Sequence, residues 1–158
     1  MHSSPSKLPS EARVAVIGEL NARLSDGIDL YTQVKVAHWN IRGPHFAALH
    51  PLFDTFADRL SEQNDTLAER AVTLGGRAHG TARHVAKTST LTEYVADTTR
   101  DLEHVKLLVS RYGQHLDGLR ASRTVAEQKG DIDTDDMLTQ IISDLEKDAW
   151  FLHATLGE

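Results

Sequence analysis

The chain has 158 residues, of which 40% are hydrophobic and 25% charged, and its net charge is −6 at pH 7. This composition predicts a globular protein and argues against a nucleic-acid binder that acts through its overall surface. The absence of cysteine excludes disulfides and thiolate metal sites and fits a reducing compartment. No apolar run indicates a leader or a membrane span, so we expect a cytoplasmic protein. We expect residues 1–9 to be a flexible N-terminal tail and residues 10–158 to form one domain.

Two amphipathic helices are predicted in the first half of the chain. The first runs from about Ser10 to Trp39, where apolar residues recur at helical spacing, and it ends before the breaker pair Gly43-Pro44. The second runs from about Phe46 to Leu74 on the same grounds and ends at Gly75-Gly76. Each helix has one apolar face, so each requires a partner in a core.

Two further long helices are predicted in the second half. A connector with a short helix around Leu91 to Val95 leads to a third long helix from about Thr98 to Gln128. The fourth begins at an Asp/Thr-rich cap over residues 131–134 and runs to about Leu156. Four amphipathic helices with one long crossover between the second and the third predict an all-α, ferritin-like four-helix bundle.

Five residues on the first two helices form a candidate metal-binding set: His38, His50, Asp54, Asp65 and Glu69. At about 100° per residue, His38 falls on the apolar arc of the first helix, while the other four share a polar face of the second. His50 with Asp54, and Asp65 with Glu69, are spaced four residues apart. Each pair is therefore able to converge on one ion.

The two pairs are too far apart to bind one ion within a single chain. Their centres are about 22 Å apart along a helix that rises 1.5 Å per residue. A two-fold axis near residues 59–60 would place each His50/Asp54 pair opposite an Asp65/Glu69 pair of a second copy. With His38, each site would have two imidazoles and three carboxylates, which suit iron. If these residues bind metal, the sequence predicts an obligate dimer with two identical shared sites.

Spacing alone leaves other interpretations open. A helical chain with 23 Asp and Glu residues carries acidic pairs on solvated faces without any metal, and a single helical histidine such as His38 is more often hydrogen-bonded in a core. Large ferritins use Glu-x-x-His motifs to build a di-iron site within one subunit. No glutamate of this chain has a histidine three residues later, so that type of site is excluded.

The segment KVAHWNIRGPHFAALHPLFD, from Lys35 to Asp54, resembles the signature of the Dps family of starvation-induced miniferritins. The spacing Asp65-x-x-x-Glu69-Arg70 and the following Leu74-Gly75-Gly76 are similar to the family's next segment. Near the C-terminus, residues 133–138 and 145–152 resemble the family's last helix. The resemblance extends over nearly the whole chain.

This resemblance implies an iron-storage protein that protects the cell from oxidative damage. The family forms a hollow dodecamer that oxidises ferrous iron, preferentially with hydrogen peroxide, and stores the ferric mineral inside. Its ferroxidase ligands would be His38, His50 and Asp54 of one subunit with Asp65 and Glu69 of the two-fold partner. Zinc is an expected substitute in the same ligands, and a purely structural helical oligomer that holds zinc there is a remaining interpretation.

Other residues are assigned by the same resemblance. Trp39, next to a ligand, resembles a family tryptophan that takes up stray oxidising equivalents, although an aromatic packing role fits equally well. The resemblance also implies roles for acidic residues. Asp58 and Glu62 would nucleate mineral on the inner wall of the shell. Glu127, Asp131 and Asp136 resemble the acidic lining of the family's entry pores. A solvated helix face and helix capping account for the same positions.

Some family members also bind DNA through lysine-rich tails. Here residues 1–9 contain one lysine, Lys7, and the net negative charge of the chain repels phosphate. We therefore expect weak or absent DNA binding near neutral pH, and a nucleoid location only if DNA binding is real. The alternative function is a DNA-compacting protein with secondary iron chemistry.

Overall fold

The computed structural model describes residues 1–95 and 97–157, and in this part of the chain there are five helices and no strand. The helices are α1 (Ser10–Asn40), α2 (Phe46–Thr73), α3 (Ala82–Thr88), α4 (Asp101–Gln128) and α5 (Ile132–Leu156). The four long helices are the predicted ones, because their apolar faces follow the helical period. None of the described helices combines the length and the apolarity needed to cross a membrane.

The short helix of the crossover is not where the sequence predicted it. We predicted it around Leu91 to Val95, but it lies at Ala82–Thr88, and residues 91–95 are irregular. The carbonyl oxygen of Thr92 accepts hydrogen bonds from Arg111 Nε at 2.7 Å and from Gln33 Nε2 at 3.2 Å. Side chains of α1 and α4 thus satisfy the backbone of this segment, which does not need helical hydrogen bonds.

The core is formed by the four long helices. α1 packs against α2 and α4, and α4 packs against α5. All four long helices contribute fully buried side chains, and so does Leu74, which directly follows α2. The largest of these side chains are Tyr112, Phe53, Phe56, Leu20, Leu30, Leu60, Leu67, Leu74, Leu108, Leu119, Leu138 and Leu145. Each long helix thus buries apolar side chains in one common core.

The turn between α1 and α2 is fixed against the start of α4. Gly43 has φ +148°, and a Cβ there would come within 2.4–2.6 Å of the Asp101 carboxyl group, so only glycine fits. Arg42 N donates to Thr99 O at 2.8 Å, and Asp101 N donates to Arg42 O at 3.0 Å. This junction holds the end of α1 and the start of α2, which carry the two predicted imidazole ligands.

The N-terminal residues contact the other end of α2. His2 N donates to Gly75 O at 2.7 Å, and Ser4 Oγ donates to Thr73 O at 2.7 Å. Arg13 of α1 donates to Leu74 O at 3.2 Å in the same region. The flexibility of residues 1–9 stays a prediction.

The middle of α2 is tied to α5 by an ion pair between Arg59 and Asp148. The Asp148 side chain is 1% exposed. Burial raises the pKa of its carboxyl group to about 6, while the Arg59 guanidinium acts in the opposite direction. Position 59 is where we predicted the two-fold axis, so this pair anchors that stretch of α2 to its own bundle.

Candidate metal centre

His38 and His50 face each other across the α1–α2 turn, and each ring is bonded to the backbone of the other residue. His38 Nδ1 lies 2.8 Å from His50 O, and His50 Nδ1 lies 3.0 Å from His38 O. The rings stack with their centroids 3.8 Å apart and an interplanar angle of 23°. His38 lies in the last turn of α1, where carbonyl groups have no helical partner. The end of the helix therefore supplies a fixed acceptor that orients the His50 ring.

These two hydrogen bonds decide which ring nitrogen is available to a metal ion. A carbonyl oxygen only accepts, so Nδ1 of each neutral ring carries the proton and donates it. The lone pair of each ring is then on Nε2. A hydrogen bond from Nδ1–H to a carbonyl is the usual way in which proteins orient a metal-binding histidine. Both imidazoles are therefore prepared to bind a cation through Nε2.

Asp54 lies beside the two rings but is already engaged by a lysine. Its Oδ1 is 3.9 Å from His38 Nε2 and 2.6 Å from Lys35 Nζ. The hydrogen bond from Lys35 lowers the pKa of Asp54, and the same contact raises the pKa of Lys35. The carboxyl group is thus kept ionised, and its side chain is 50% exposed. An incoming cation finds a charged ligand there but competes with Lys35, which contacts one of its two oxygens.

Asp65 and Glu69 lie farther along α2 and have no such engagement. Both are exposed. Neither makes a hydrogen bond or an ion pair with another residue in the segments 1–95 and 97–157. They are one helical turn apart and so present their carboxylates on the same face. This half of the predicted site is open to an ion or to a second molecule.

One chain does not assemble the five predicted ligands. Within the described part of the chain, no group of three or more His, Asp or Glu side chains is placed to hold a metal ion. His38, His50 and Asp54 are brought together. The Asp54 carboxylate is already paired with the positive charge of Lys35. The structure therefore gathers three predicted ligands and leaves Asp65 and Glu69 apart from them.

The same fold and much of the sequence occur in known proteins. A ferritin-like domain matches residues 17–158. A "DNA protection during starvation protein" from Agrobacterium fabrum (strain C58) is 41% identical over 157 residues, which are 99% of this chain and 97% of that protein. The chain belongs to the Dps family. The resemblance to the Dps family is thus confirmed over nearly the whole chain.

Solved structures of the Dps family superimpose closely on this chain. DpsC from Streptomyces coelicolor has a TM-score of 0.93 and 31% identity, covering 98% of this chain and 90% of that one. A Dps protein from Vibrio cholerae O1, described as a member of a broad superfamily of ferritin-like diiron-carboxylate proteins, has a TM-score of 0.92 and 27% identity, covering 99% and 98%. The predicted all-α ferritin-like bundle is therefore confirmed.

Three further residues assigned by resemblance to the Dps family lie on the surface. Trp39 is 68% exposed, so it does not pack in the core of its own subunit. Asp58 and Glu62 are exposed on α2 between the two halves of the ligand set. The oxidant-scavenging role of Trp39 and the nucleating role of the two carboxylates stay predictions.

The three acidic residues proposed for a pore differ in their surroundings. Asp131 is buried, and it caps α5 by accepting from Thr134 N at 3.2 Å and Thr134 Oγ1 at 2.5 Å. It also accepts from Arg70 Nη2 at 2.6 Å. These contacts favour the capping role for Asp131. Glu127 and Asp136 are exposed, and their pore role stays a prediction.

Sequence reasoning missed two contacts of the site region. Lys35 lies three residues before His38 and hence on the same side of α1. This spacing could have indicated that Lys35 is close to the predicted ligands. His45 bonds to the Asp101 carboxylate through both Nδ1 at 2.8 Å and the backbone N at 2.9 Å, and the backbone bond lowers the pKa of Asp101. That pair joins residues 56 positions apart, so no local pattern could indicate it.

Proposed function

We propose that this chain is a ferroxidase and iron-storage subunit that oxidises ferrous iron at sites shared between two subunits. The observation that carries the proposal is the pair of imidazoles, His38 and His50, each fixed through Nδ1 by the other's carbonyl group, with His38 Nε2 3.9 Å from Asp54 Oδ1. Membership of the Dps family supports iron as the substrate, as does the description of the V. cholerae relative as a diiron-carboxylate protein.

A second subunit completes the site in this proposal. An antiparallel contact of α2 with its copy, centred near residues 59–60, would bring Asp65 and Glu69 of one subunit to the imidazoles of the other, twice per dimer. Large apolar side chains are exposed on the single chain, among them Trp39, Phe46 and Trp150. Such side chains are typical of surfaces that become covered in an assembly. We propose a homo-oligomer of such dimers that closes into a hollow dodecamer.

The chemistry of the ligands suits the oxidation of bound iron. Imidazole nitrogens and carboxylates bind ferrous iron, and the three carboxylates stabilise the additional charge of the ferric product. With hydrogen peroxide, two ferrous ions, one peroxide molecule and two water molecules give two ferric oxyhydroxide units and four protons. Because both electrons go to one peroxide molecule at the site, little hydroxyl radical is released. Removal of ferrous iron and peroxide together protects the cell from oxidative damage.

The test is the rate at which ferric absorbance appears after ferrous iron and peroxide are mixed with the assembled protein. In the Asp65→Ala/Glu69→Ala variant we expect a loss of at least about 100-fold, since loss of groups that merely orient a ligand costs 10–100-fold. The matched control is Asp117→Ala/Glu146→Ala, which removes one Asp and one Glu from the exposed contacts of Arg120. A ligand-deficient variant that oxidises iron at the wild-type rate would contradict the proposal.

Zinc distinguishes turnover at these ligands from oxidation elsewhere on the surface. It binds the same ligand types but has no second oxidation state to reach. We expect one equivalent of Zn²⁺ per site to slow iron oxidation in the wild type. It should have no effect on the residual rate of Asp65→Ala/Glu69→Ala. Equal inhibition of both proteins would place the oxidation outside the proposed ligands.

We further propose that DNA protection, which the name of the A. fabrum relative mentions, is indirect in this protein. The net charge of −6 per chain and the single lysine of residues 1–9 disfavour phosphate binding. We expect no retarded band in a gel-shift measurement with duplex DNA at neutral pH and moderate salt, and a cytoplasmic rather than nucleoid location. A band that disappears as salt is raised would favour the DNA-compacting alternative.

A further inference from the structure

Tyr94 and His104 form a hydrogen-bonded pair at the start of α4, outside the ligand set. Tyr94 Oη lies 2.5 Å from His104 Nδ1. The two rings are nearly parallel, with an interplanar angle of 13° and centroids 6.0 Å apart. His104 is completely buried and Tyr94 is partly buried. The pair is therefore held in one geometry and largely shielded from water.

The tautomer of His104 decides the direction of the hydrogen bond. A neutral imidazole carries one proton, and in the tautomer with that proton on Nε2 the lone pair is on Nδ1. The Tyr94 hydroxyl then donates to Nδ1, which lies 2.5 Å away and is in position to take the proton. His104 Nε2 has no hydrogen-bond partner in the described part of the chain.

The location links the pair to the end of α1. Asn40 is the last residue of α1 and follows Trp39 directly, and His38 is one position earlier. Arg42, two residues beyond α1, donates to Thr99 O at 2.8 Å and accepts from Asp101 N at 3.0 Å, so the start of α4, which carries His104, lies against the end of α1. Tyr94 also lines a surface groove that includes Val36 of α1. The pair thus lies in the region of the fold that contains the end of the ligand-bearing helix.

The other two tyrosines have no base hydrogen-bonded to their hydroxyl groups within residues 1–95 and 97–157. Tyr112 is fully buried, and its hydroxyl has no hydrogen-bond partner among the described residues. Tyr31 also donates no hydrogen bond within residues 1–95 and 97–157. Oxidation of a tyrosine makes its phenol strongly acidic, so one-electron oxidation is easiest where a base can take the proton. Of the tyrosines in the described segments, only Tyr94 meets this condition.

We propose that Tyr94 and His104 form a redox site that takes up one oxidising equivalent. Tyr94 gives one electron to a hydroxyl radical, or to the radical cation of Trp39 that such an oxidant has produced, and its phenolic proton passes to His104 Nδ1. The products are a neutral tyrosyl radical, an imidazolium ion and hydroxide, or reduced Trp39. The source of the oxidant, ferrous iron with peroxide, rests on the proposed function.

The environment of His104 acts on the proton transfer in both directions. Burial lowers the pKa of the imidazole overall, while the Asn40 backbone and the carboxylates of Glu103 and Asp101 act in the opposite direction. His104 is also the fourth residue of α4, near the positive end of that helix, which disfavours a cation. An oxidised phenol is acidic enough to protonate even a base that burial has weakened. The two carboxylates compensate part of the desolvation of the imidazolium ion.

The test is electron paramagnetic resonance of the assembled protein, freeze-trapped after oxidation by two routes. In the first route, flash photolysis of persulfate produces sulfate radical without iron, so the result does not depend on the proposed ferroxidase site. In the second route, ferrous iron and peroxide are added. We expect a tyrosyl radical signal in both routes that is lost in Tyr94→Phe. Tyr112→Phe is the matched control and should keep the signal, because its hydroxyl has no partner to lose.

The role of His104 has its own spectroscopic test. The wild-type radical should show an exchangeable proton hydrogen-bonded to the phenoxyl oxygen in electron–nuclear double resonance. His104→Gln should give a smaller radical yield, because an amide does not accept the proton. An unchanged tyrosyl signal in Tyr94→Phe after photolysis would overturn the redox site and leave the ferroxidase proposal intact. A signal that depends on Tyr94 after photolysis but is absent after iron and peroxide would overturn the link between this pair and the iron site.

Discussion

The two halves of the proposed iron site differ in how much of their geometry one chain supplies. In the imidazole half, the rings of His38 and His50 are oriented by carbonyl groups of the same chain, and Asp54 is engaged by Lys35. In the carboxylate half, Asp65 and Glu69 are exposed and make no contact of this kind within the described part of the chain. A single chain thus builds one half in advance and leaves the other for a second subunit to position.

The difference has a physical reason. An imidazole offers a metal only the ring nitrogen that is not protonated, so its tautomer and orientation must be set before the ion arrives. A carboxylate has two equivalent oxygens, stays ionised near neutral pH, and is well solvated when exposed. Water solvates the charges of Asp65 and Glu69 on a free subunit, so these side chains need no partner there. Fixed side-chain orientations are therefore found at the imidazoles, whose metal binding depends on orientation.

The largest expected effect comes from mixing two inactive variants that each lack one half. His50→Ala subunits keep the carboxylate half, and Asp65→Ala/Glu69→Ala subunits keep the imidazole half. A mixed dimer then has one intact site out of two, and random assembly makes half of the dimers mixed. Co-refolded protein should therefore recover about a quarter of the wild-type rate of iron oxidation, from two components that are nearly inactive alone.

The control for this experiment is the same mixture without dissociation and refolding, in which each assembly keeps one type of subunit and stays inactive. Sites built within single subunits would give no recovery in the co-refolded sample either. Complementation thus separates a shared site from a site in which each chain supplies every ligand. No other variant of the chain tests the difference between the two halves so directly.

A smaller effect is expected from Lys35→Met, which frees Asp54 in the imidazole half. Lys35 repels an incoming cation and occupies one Asp54 oxygen. Its removal should tighten ferrous binding by a few-fold, the modest size expected of an exposed ion pair. The hydrogen bond from Lys35 lowers the pKa of Asp54, so in the variant this carboxyl group should protonate, and ferrous binding should weaken, at a higher pH than in the wild type.

Anaerobic calorimetric titration with ferrous iron over a range of pH measures both effects. Lys35→Arg keeps the positive charge and serves as the control, which should bind iron about as the wild type does. Weaker binding by Lys35→Met at neutral pH would show that Lys35 supports the site rather than competing with the cation.

The smallest effect concerns the Arg59–Asp148 pair, between the two halves of α2. The Asp148 pKa is about 6 in the folded protein and about 3.9 when unfolded. Between these values the folded state binds the additional proton, so the contribution of Asp148 to stability decreases as pH rises from about 4 to about 6. We expect the wild type to lose on the order of 1–3 kcal/mol relative to Asp148→Asn across this window.

Thermal denaturation of both proteins at several pH values measures this change, because the amide side chain of the Asp148→Asn variant does not titrate. Curves that run parallel between pH 4 and pH 6 would show that the Asp148 pKa is not raised. Iron oxidation measured on the same samples would show whether the position of the middle of α2 matters to the shared site.

The sequence was sufficient for the long helices, while its ligand assignments stay predictions. Helical periodicity located the four long helices to within about three residues, because each buries a continuous apolar face. The spacing of four residues paired His50 with Asp54 and Asp65 with Glu69, since such residues are one turn apart. The short crossover helix lies about eight residues before its predicted position, centre to centre. The predicted segment, residues 91–95, has its backbone bonded by side chains of α1 and α4 instead of forming a helix.

By itself the sequence determined the fold class and the family, because helical periodicity and the motifs of a family are local properties of a chain. The five residues assigned to the iron site stay a prediction. Only the tertiary structure decided the reciprocal hydrogen bonds of His38 and His50, the contact of Lys35 with Asp54, and the Tyr94–His104 pair. These contacts join different helices or a helix and a loop. Their geometry depends on how the bundle packs, and no pattern within one segment specifies it.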